Sequence, residues 1–125
     1  MPSPAEVTVV IIAPPGYKRD GLRVLLRAYD RIALAGEADN LASAVQLITE
    51  RAPALAVLKN GENGDAPWAG LRQLKTQYPQ VQFVVLVLDH SKEEQARAAG
   101  ADAVLLEGFT SETMFRTIDQ MMATV

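Results

Sequence analysis

The sequence predicts a three-layer α/β/α sandwich of (βα)5 form, with a five-stranded parallel sheet as its middle layer. Three observations carry this reading. Short runs that are apolar on both faces recur along the chain, segments with apolar residues at helical spacing separate them, and Pro, Gly or a capping residue closes each piece. A strand buried on both faces loses the in-out alternation of a half-exposed one, and parallel neighbours need a crossover helix between them.

Val7 to Ile12 is a β-branched run, ended by Ala13-Pro14-Pro15-Gly16, where two prolines remove the amides a ladder needs. Leu22, Leu25, Leu26 and Tyr29 then follow helical spacing, with Arg19, Asp20, Arg23 and Arg27 on the other side. Ile32 to Ala35 reads as a short second strand closed by Gly36. Asn40 is placed to cap a helix carrying Ala44, Val45 and Ile48, which Pro53 stops. Ala54 to Leu58 is the third strand, and Lys59 to Pro67 is a loop by composition, its run Asn60-Gly61-Glu62-Asn63-Gly64 offering a flexible contact for a partner. Trp68, Leu71, Leu74 and Tyr78 mark a third helix before Pro79, and Phe83 to Leu88 is the most hydrophobic strand. Ser91 with Glu94 has the capping-box spacing before a short helix ending at Gly100. Val104 to Leu106 makes the fifth strand, and Thr110 can cap a last helix carrying Met114, Ile118, Met121 and Val125. In such a fold ligands sit at the carboxyl ends of the strands, near the point where strand order reverses.

Composition narrows the function. With 125 residues, 49% apolar and 22% charged, residues 1–125 fit one domain with one core. There is no cysteine and a single histidine, His90, which removes disulfides, thiolate metal sites and histidine clusters. The apolar run from Val7 to Ala13 is far shorter than the roughly 20 residues of a membrane span, and Met1 to Glu6 has no basic leader, so a cytoplasmic location is expected. A net charge of -3 argues against phosphate-backbone attraction, and no direct contact with nucleic acid is expected of this domain.

The order and spacing of several pieces resemble the receiver domains of bacterial response regulators, the CheY-like branch of the flavodoxin-like fold. The pieces are Arg19-Asp20-Gly21-Leu22 with Leu25-Leu26, Gly36-Glu37-Ala38, Ala52-Pro53, Tyr78-Pro79, and Ala99-Gly100-Ala101-Asp102 leading into Leu105-Leu106. They span nearly the whole chain, and the resemblance is to the branch that precedes a LuxR-type helix-turn-helix output domain. One spacing departs: the fourth helix region is about two residues short. The resemblance implies two-component, phosphorelay signal transduction and regulation of transcription. It also implies a site at the carboxyl edge of the sheet. Acidic residues there hold magnesium, an aspartate accepts the phosphoryl group, and a hydroxyl and a lysine bind the phosphoryl oxygens.

In that frame the acidic pair falls on Ala13 and Pro14, the nucleophile on Lys59, the hydroxyl on Val87, the lysine on Glu107 and the aromatic switch position on Val104. None can do the family's chemistry, so the resemblance implies a pseudo-receiver with no catalytic residue, no metal and no cofactor. Lys59 and Glu107 carry the family's aspartate and lysine with signs exchanged, and a salt bridge between them is expected to compete with two separately solvated charges. A protein partner, or the domain's own output domain, is expected. No output domain lies in this chain, which stops where the family's linker would begin. A complete single-domain protein and a fragment of a transcription factor both stay open.

Further features have weaker readings. Phe115 and Met122, seven apart, could widen the apolar face of the last helix into a homodimer face, or be core. Arg19, Arg23 and Arg27 could form a basic stripe for an acidic partner, or a solvated helix face. Asp89 and His90 could join Lys59 and Glu107 in an acid/base site, or simply make a turn. The rival class is a small-ligand or flavin-binding domain on the same scaffold. It would need a phosphate loop after the first strand, and Ala13-Pro14-Pro15-Gly16 has few amide donors.

Overall fold

In the computed structural model, which describes residues 6–59 and 67–123, strands and helices alternate throughout. They run β1 (Val7–Ile12), α1 (Tyr17–Arg27), β2 (Ile32–Ala38), α2 (Leu41–Arg51), β3 (Leu55–Lys59), α3 (Trp68–Gln77), β4 (Gln82–Val87), α4 (Glu93–Ala98), β5 (Ala103–Leu106) and α5 (Ser111–Ala123). All neighbouring strands are parallel, in the order β2-β1-β3-β4-β5. This is the flavodoxin-like (βα)5 arrangement, and strand order reverses between β1 and β3.

The sheet divides the interior into two cores, because successive side chains of a strand point to opposite faces. Val10, Ile12, Leu58, Phe83 and Val85 pack with residues of α2, α3 and α4. Val9, Ile11, Leu55, Val57 and Leu86 pack with Leu22 and Leu26 of α1 and Met114, Ile118 and Met121 of α5. The central strands are almost wholly out of water, which explains why they read as unbroken apolar runs.

Several sequence expectations shift. Gly36 does not close β2. The strand bulges, with Val9 opposite Leu34 and Val10 opposite Gly36, then continues to Ala38. Gly36 is there for space: a Cβ on it would lie 2.8 Å from Leu47 Cδ1 of α2. Strand β3 includes Lys59, and β4 stops before Leu88, which is 62% exposed. Tyr29 keeps the helical spacing of the α1 apolar set but lies beyond the end of that helix. Asn40 caps α2, its side chain accepting from the Ser43 N–H at 2.9 Å, and Thr110 Oγ1 likewise accepts from the Thr113 N–H at 3.1 Å. The Ser91–Glu94 capping box does not form. Asp89 instead caps a 3-10 turn (His90–Lys92) that leads into α4, accepting from the Ser91 N–H at 2.9 Å. The loop expected at residues 60–64 and the last apolar position, Val125, lie outside the described residues.

Helix α2 ends on Ala52 in the left-handed region (φ 45°, ψ 56°) before Pro53, whose ring disfavours a right-handed helical residue ahead of it. A Cβ in that conformation is costly, and glycine removes the cost. Ala52→Gly is therefore expected to raise stability by about 0.5–1 kcal/mol, read as a higher urea midpoint at unchanged slope. A lower midpoint would contradict this account of the helix end.

Candidate functional site

The carboxyl ends of β1, β3, β4 and β5 meet around the topological switch point, and each brings one side chain to the mouth of the sheet. Ala13 follows β1, is 1% exposed and donates its N–H to the Ala38 carbonyl at 2.9 Å. Pro14, next in the chain, is exposed. Lys59 ends β3 and Val87 ends β4, both buried. Glu107 follows β5 and is fixed by its own N–H, which donates to the Val87 carbonyl at 2.8 Å. Val104 lies inside β5, half-buried against the core on the α2–α4 side.

Two charges meet in this apolar setting. Lys59 Nζ lies 3.3 Å from Glu107 Oε1, with the lysine side chain only 7% exposed and the glutamate 20%. Lys18 of α1 brings a second ammonium to the same oxygen, at 3.9 Å. Sequence reasoning missed Lys18, because nothing in its spacing shows that the first turn of α1 leans over the end of β5. A shallow pocket of about 240 Å3 opens beside these groups, with Leu22, Leu25, Leu86 and Phe109 as its apolar wall. A lysine held this far from water needs a compensating negative charge, and Glu107 supplies it.

Solved structures of the same shape include response regulators. The signal receiver domain of the response regulator NarL from Mycobacterium tuberculosis matches with a TM-score of 0.82 at 22% identity, over 94% of this chain and 97% of that one. A LuxR-family two-component response regulator from Aurantimonas sp. SI85-9A1 gives 0.85 at 16% identity, over 96% and 87%. RcsB from Salmonella enterica serovar Typhimurium, bound to the promoter rprA with a phosphomimetic, gives 0.80 at 10% identity, over 94% of this chain and 61% of that one. The chain has the receiver fold. No protein-family model matches the sequence, and no curated protein matches it.

The family resemblance implies a magnesium ion at this mouth, and the described side chains at the corresponding positions do not supply its acidic ligands. Ala13 and Pro14 offer no ligand oxygen in their side chains, and the Lys59 ammonium would repel a dication where a carboxylate would attract it. Among the described residues no three His, Cys, Asp or Glu side chains come together in a group able to hold a metal ion.

The remaining candidates are used elsewhere in the fold. Asp89 turns back onto its own loop: hydrogen bonds from the Ser91 hydroxyl and then the Ser91 N–H hold its carboxyl below the usual carboxylate range. His90 is exposed and lies 3.4 Å from Glu93 Oε2. These contacts serve the entrance to α4 rather than an acid/base site. The arginines of α1 do not form an open basic stripe. Arg23 makes a two-pronged contact with Glu37, its Nη2 donating at 2.8 Å, and also meets Asp20 at 3.0 Å. Arg19 reaches Asp39 at 2.6 Å and Glu37 at 3.0 Å, the second contact ionic because its N–H does not point at the oxygen. The hydrogen bond from Arg23 outweighs partial burial and lowers the Glu37 carboxyl below its usual range. Glu37 escaped notice in the sequence because Gly36 seemed to end the strand that presents it.

On α5, Phe115 stacks on Tyr29 with ring centroids 4.4 Å apart, and Met122 is half-buried against the α1–α5 core. The Tyr29 hydroxyl donates to Asp119 at 2.6 Å, which raises the phenol above its ordinary value, and Arg31 meets the same carboxylate at 2.6 Å. Phe115 and Met122 thus each have a partner within the chain while staying partly exposed.

Burial makes the consequence of breaking the mouth pair asymmetric. Glu107→Ala removes a carboxylate paired with a desolvated ammonium and is expected to cost about 1–3 kcal/mol, whereas Lys59→Met removes the charge with its stem retained and stays within about 1 kcal/mol. A double-mutant cycle followed by urea denaturation should give a coupling of at least about 1 kcal/mol. Additive effects would contradict the pair.

Proposed function

We propose that this chain is a receiver-like signalling domain that works by protein contact without being phosphorylated. The observation that carries the reading is the buried Lys59, paired with Glu107, at the position where the family resemblance puts the phosphorylated aspartate. An ammonium cannot take up a phosphoryl group as an acyl phosphate, and its positive charge would repel a divalent metal. The bridge joins the end of β3 to the residue after β5, at the edge of the sheet where phosphorylation would otherwise act.

The setting is a two-component pathway in the cytoplasm, and no described helix is long and apolar enough to cross a membrane. RcsB carries its receiver domain in a protein described bound to a promoter, and this chain spans 61% of that molecule. By that parallel the domain is the regulatory half of a transcription factor, contacting an output domain or a separate protein and pairing with a second copy of itself. It would touch no nucleic acid directly. A flavin or small-ligand reading is less well supported. The pocket at the mouth is smaller than the roughly 300–1,000 Å3 of ligand sites, and the turn after β1 has two prolines without amide donors.

Incubation with a small-molecule phosphodonor and magnesium, followed by intact mass measurement, tests the reading. The mass is expected to stay that of the unmodified chain, while an active receiver treated alongside gains a phosphoryl group. A phosphoryl increment on this chain would overturn the proposal.

A further inference from the structure

Helix α1 is tied down on three sides and open on the fourth. Leu22 and Leu26 face the core, Arg19 and Arg23 reach Glu37 on β2, and Lys18 reaches Glu107. Its outer side carries Tyr17, 80% exposed, and Val24, 70% exposed, the two most exposed large apolar side chains described. Gly21 lies between them and Ala28 one turn beyond, both exposed. At 100° per residue, positions 17, 21, 24 and 28 fall within about 60° of arc, on the side away from the core. Their spacing of four, three and four residues is that of a two-helix seam.

The charges beside the seam indicate what covers it. Asp20 and Arg27 lie on one flank, seven residues apart, both exposed. In an antiparallel pair of identical helices, a residue on that flank faces the same flank of the partner. If Val24 of one copy packs over Gly21 of the other, Tyr17 comes to lie over Ala28 and Asp20 over Arg27, each twice because of the two-fold axis. Large meets small along the seam, and opposite charges meet beside it. Asp20 also pairs with Arg23 in its own chain, yet its side chain stays 60% exposed. A Cβ on Gly21 would meet nothing within 4 Å in the single chain, so the fold itself does not require a small residue there.

We propose that two copies of this chain associate through α1, antiparallel about a two-fold axis, with Tyr17, Gly21, Val24 and Ala28 as the seam and Asp20 bridging to the second copy's Arg27. One short helix per protomer makes a small interface, so the association is weak and concentration-dependent. It stands independently of whether the mouth of the sheet can be phosphorylated.

Sedimentation equilibrium of the full chain at low salt, up to millimolar protein, tests this. The wild type is expected to dimerise and Val24→Glu to remain a monomer. Asp20→Arg alone and Arg27→Asp alone should each weaken the dimer by about fivefold to thirtyfold, because both bridges become repulsions. An equimolar mixture of these two variants should regain association, since each supplies the charge the other lacks; the chain carrying both substitutions should regain it too. Circular dichroism on each variant separates loss of pairing from loss of fold. A wild type that stays monomeric throughout would overturn the proposal, as would a dimer that ignores these charges or a mixture that fails to recover.

Discussion

A lysine ammonium held almost out of water by a glutamate, where the strands of the sheet end, is the constraint from which the rest of the account follows. Lys59 sits there because β3 carries it into the mouth, and Glu107 meets it because the backbone after β5 is pinned to β4. Taking a charge out of water is unfavourable, so the two side chains hold each other in place. The same constraint sets the chemistry of the mouth. Among the described residues the deepest charge of the mouth is positive, and the Ala13 and Pro14 side chains beside it carry no oxygen to offer a hard dication.

The mouth is connected to the outer surface through α1. Lys18 places the first turn of that helix over Glu107, while Arg19 and Arg23 bind its other flank to Glu37 on the extended part of β2. The helix is thereby fixed in rotation, and its remaining side faces outward as an apolar seam. In a phosphorylatable receiver, charge changes at the mouth bias such surfaces. Here the Lys59–Glu107 ion pair stands at the mouth.

How much was legible in the sequence follows from which signals are local. The strands could be read because both of their faces are buried, and Asn40 and Thr110 could be read as caps because capping depends on residues three apart. Gly36 misled because a glycine that makes room for Leu47 looks the same in sequence as one that ends a strand. Ser91 misled because Asp89, two residues earlier, took the capping role with a stronger acceptor. Lys59 and Glu107 could be brought together only through the family frame, which places them at the same edge. Lys18 and the stack of Tyr29 on Phe115 depend on how helices lean over the sheet, and no periodicity encodes that.

Magnesium titration followed by amide NMR tests most directly the proposal that the mouth of this sheet does not collect a divalent cation. The amides of Ala13, Lys59 and Glu107 are expected to show no saturable shift as magnesium rises to millimolar levels, in contrast to a receiver with its acidic cluster intact. A saturable shift confined to those amides would contradict the account.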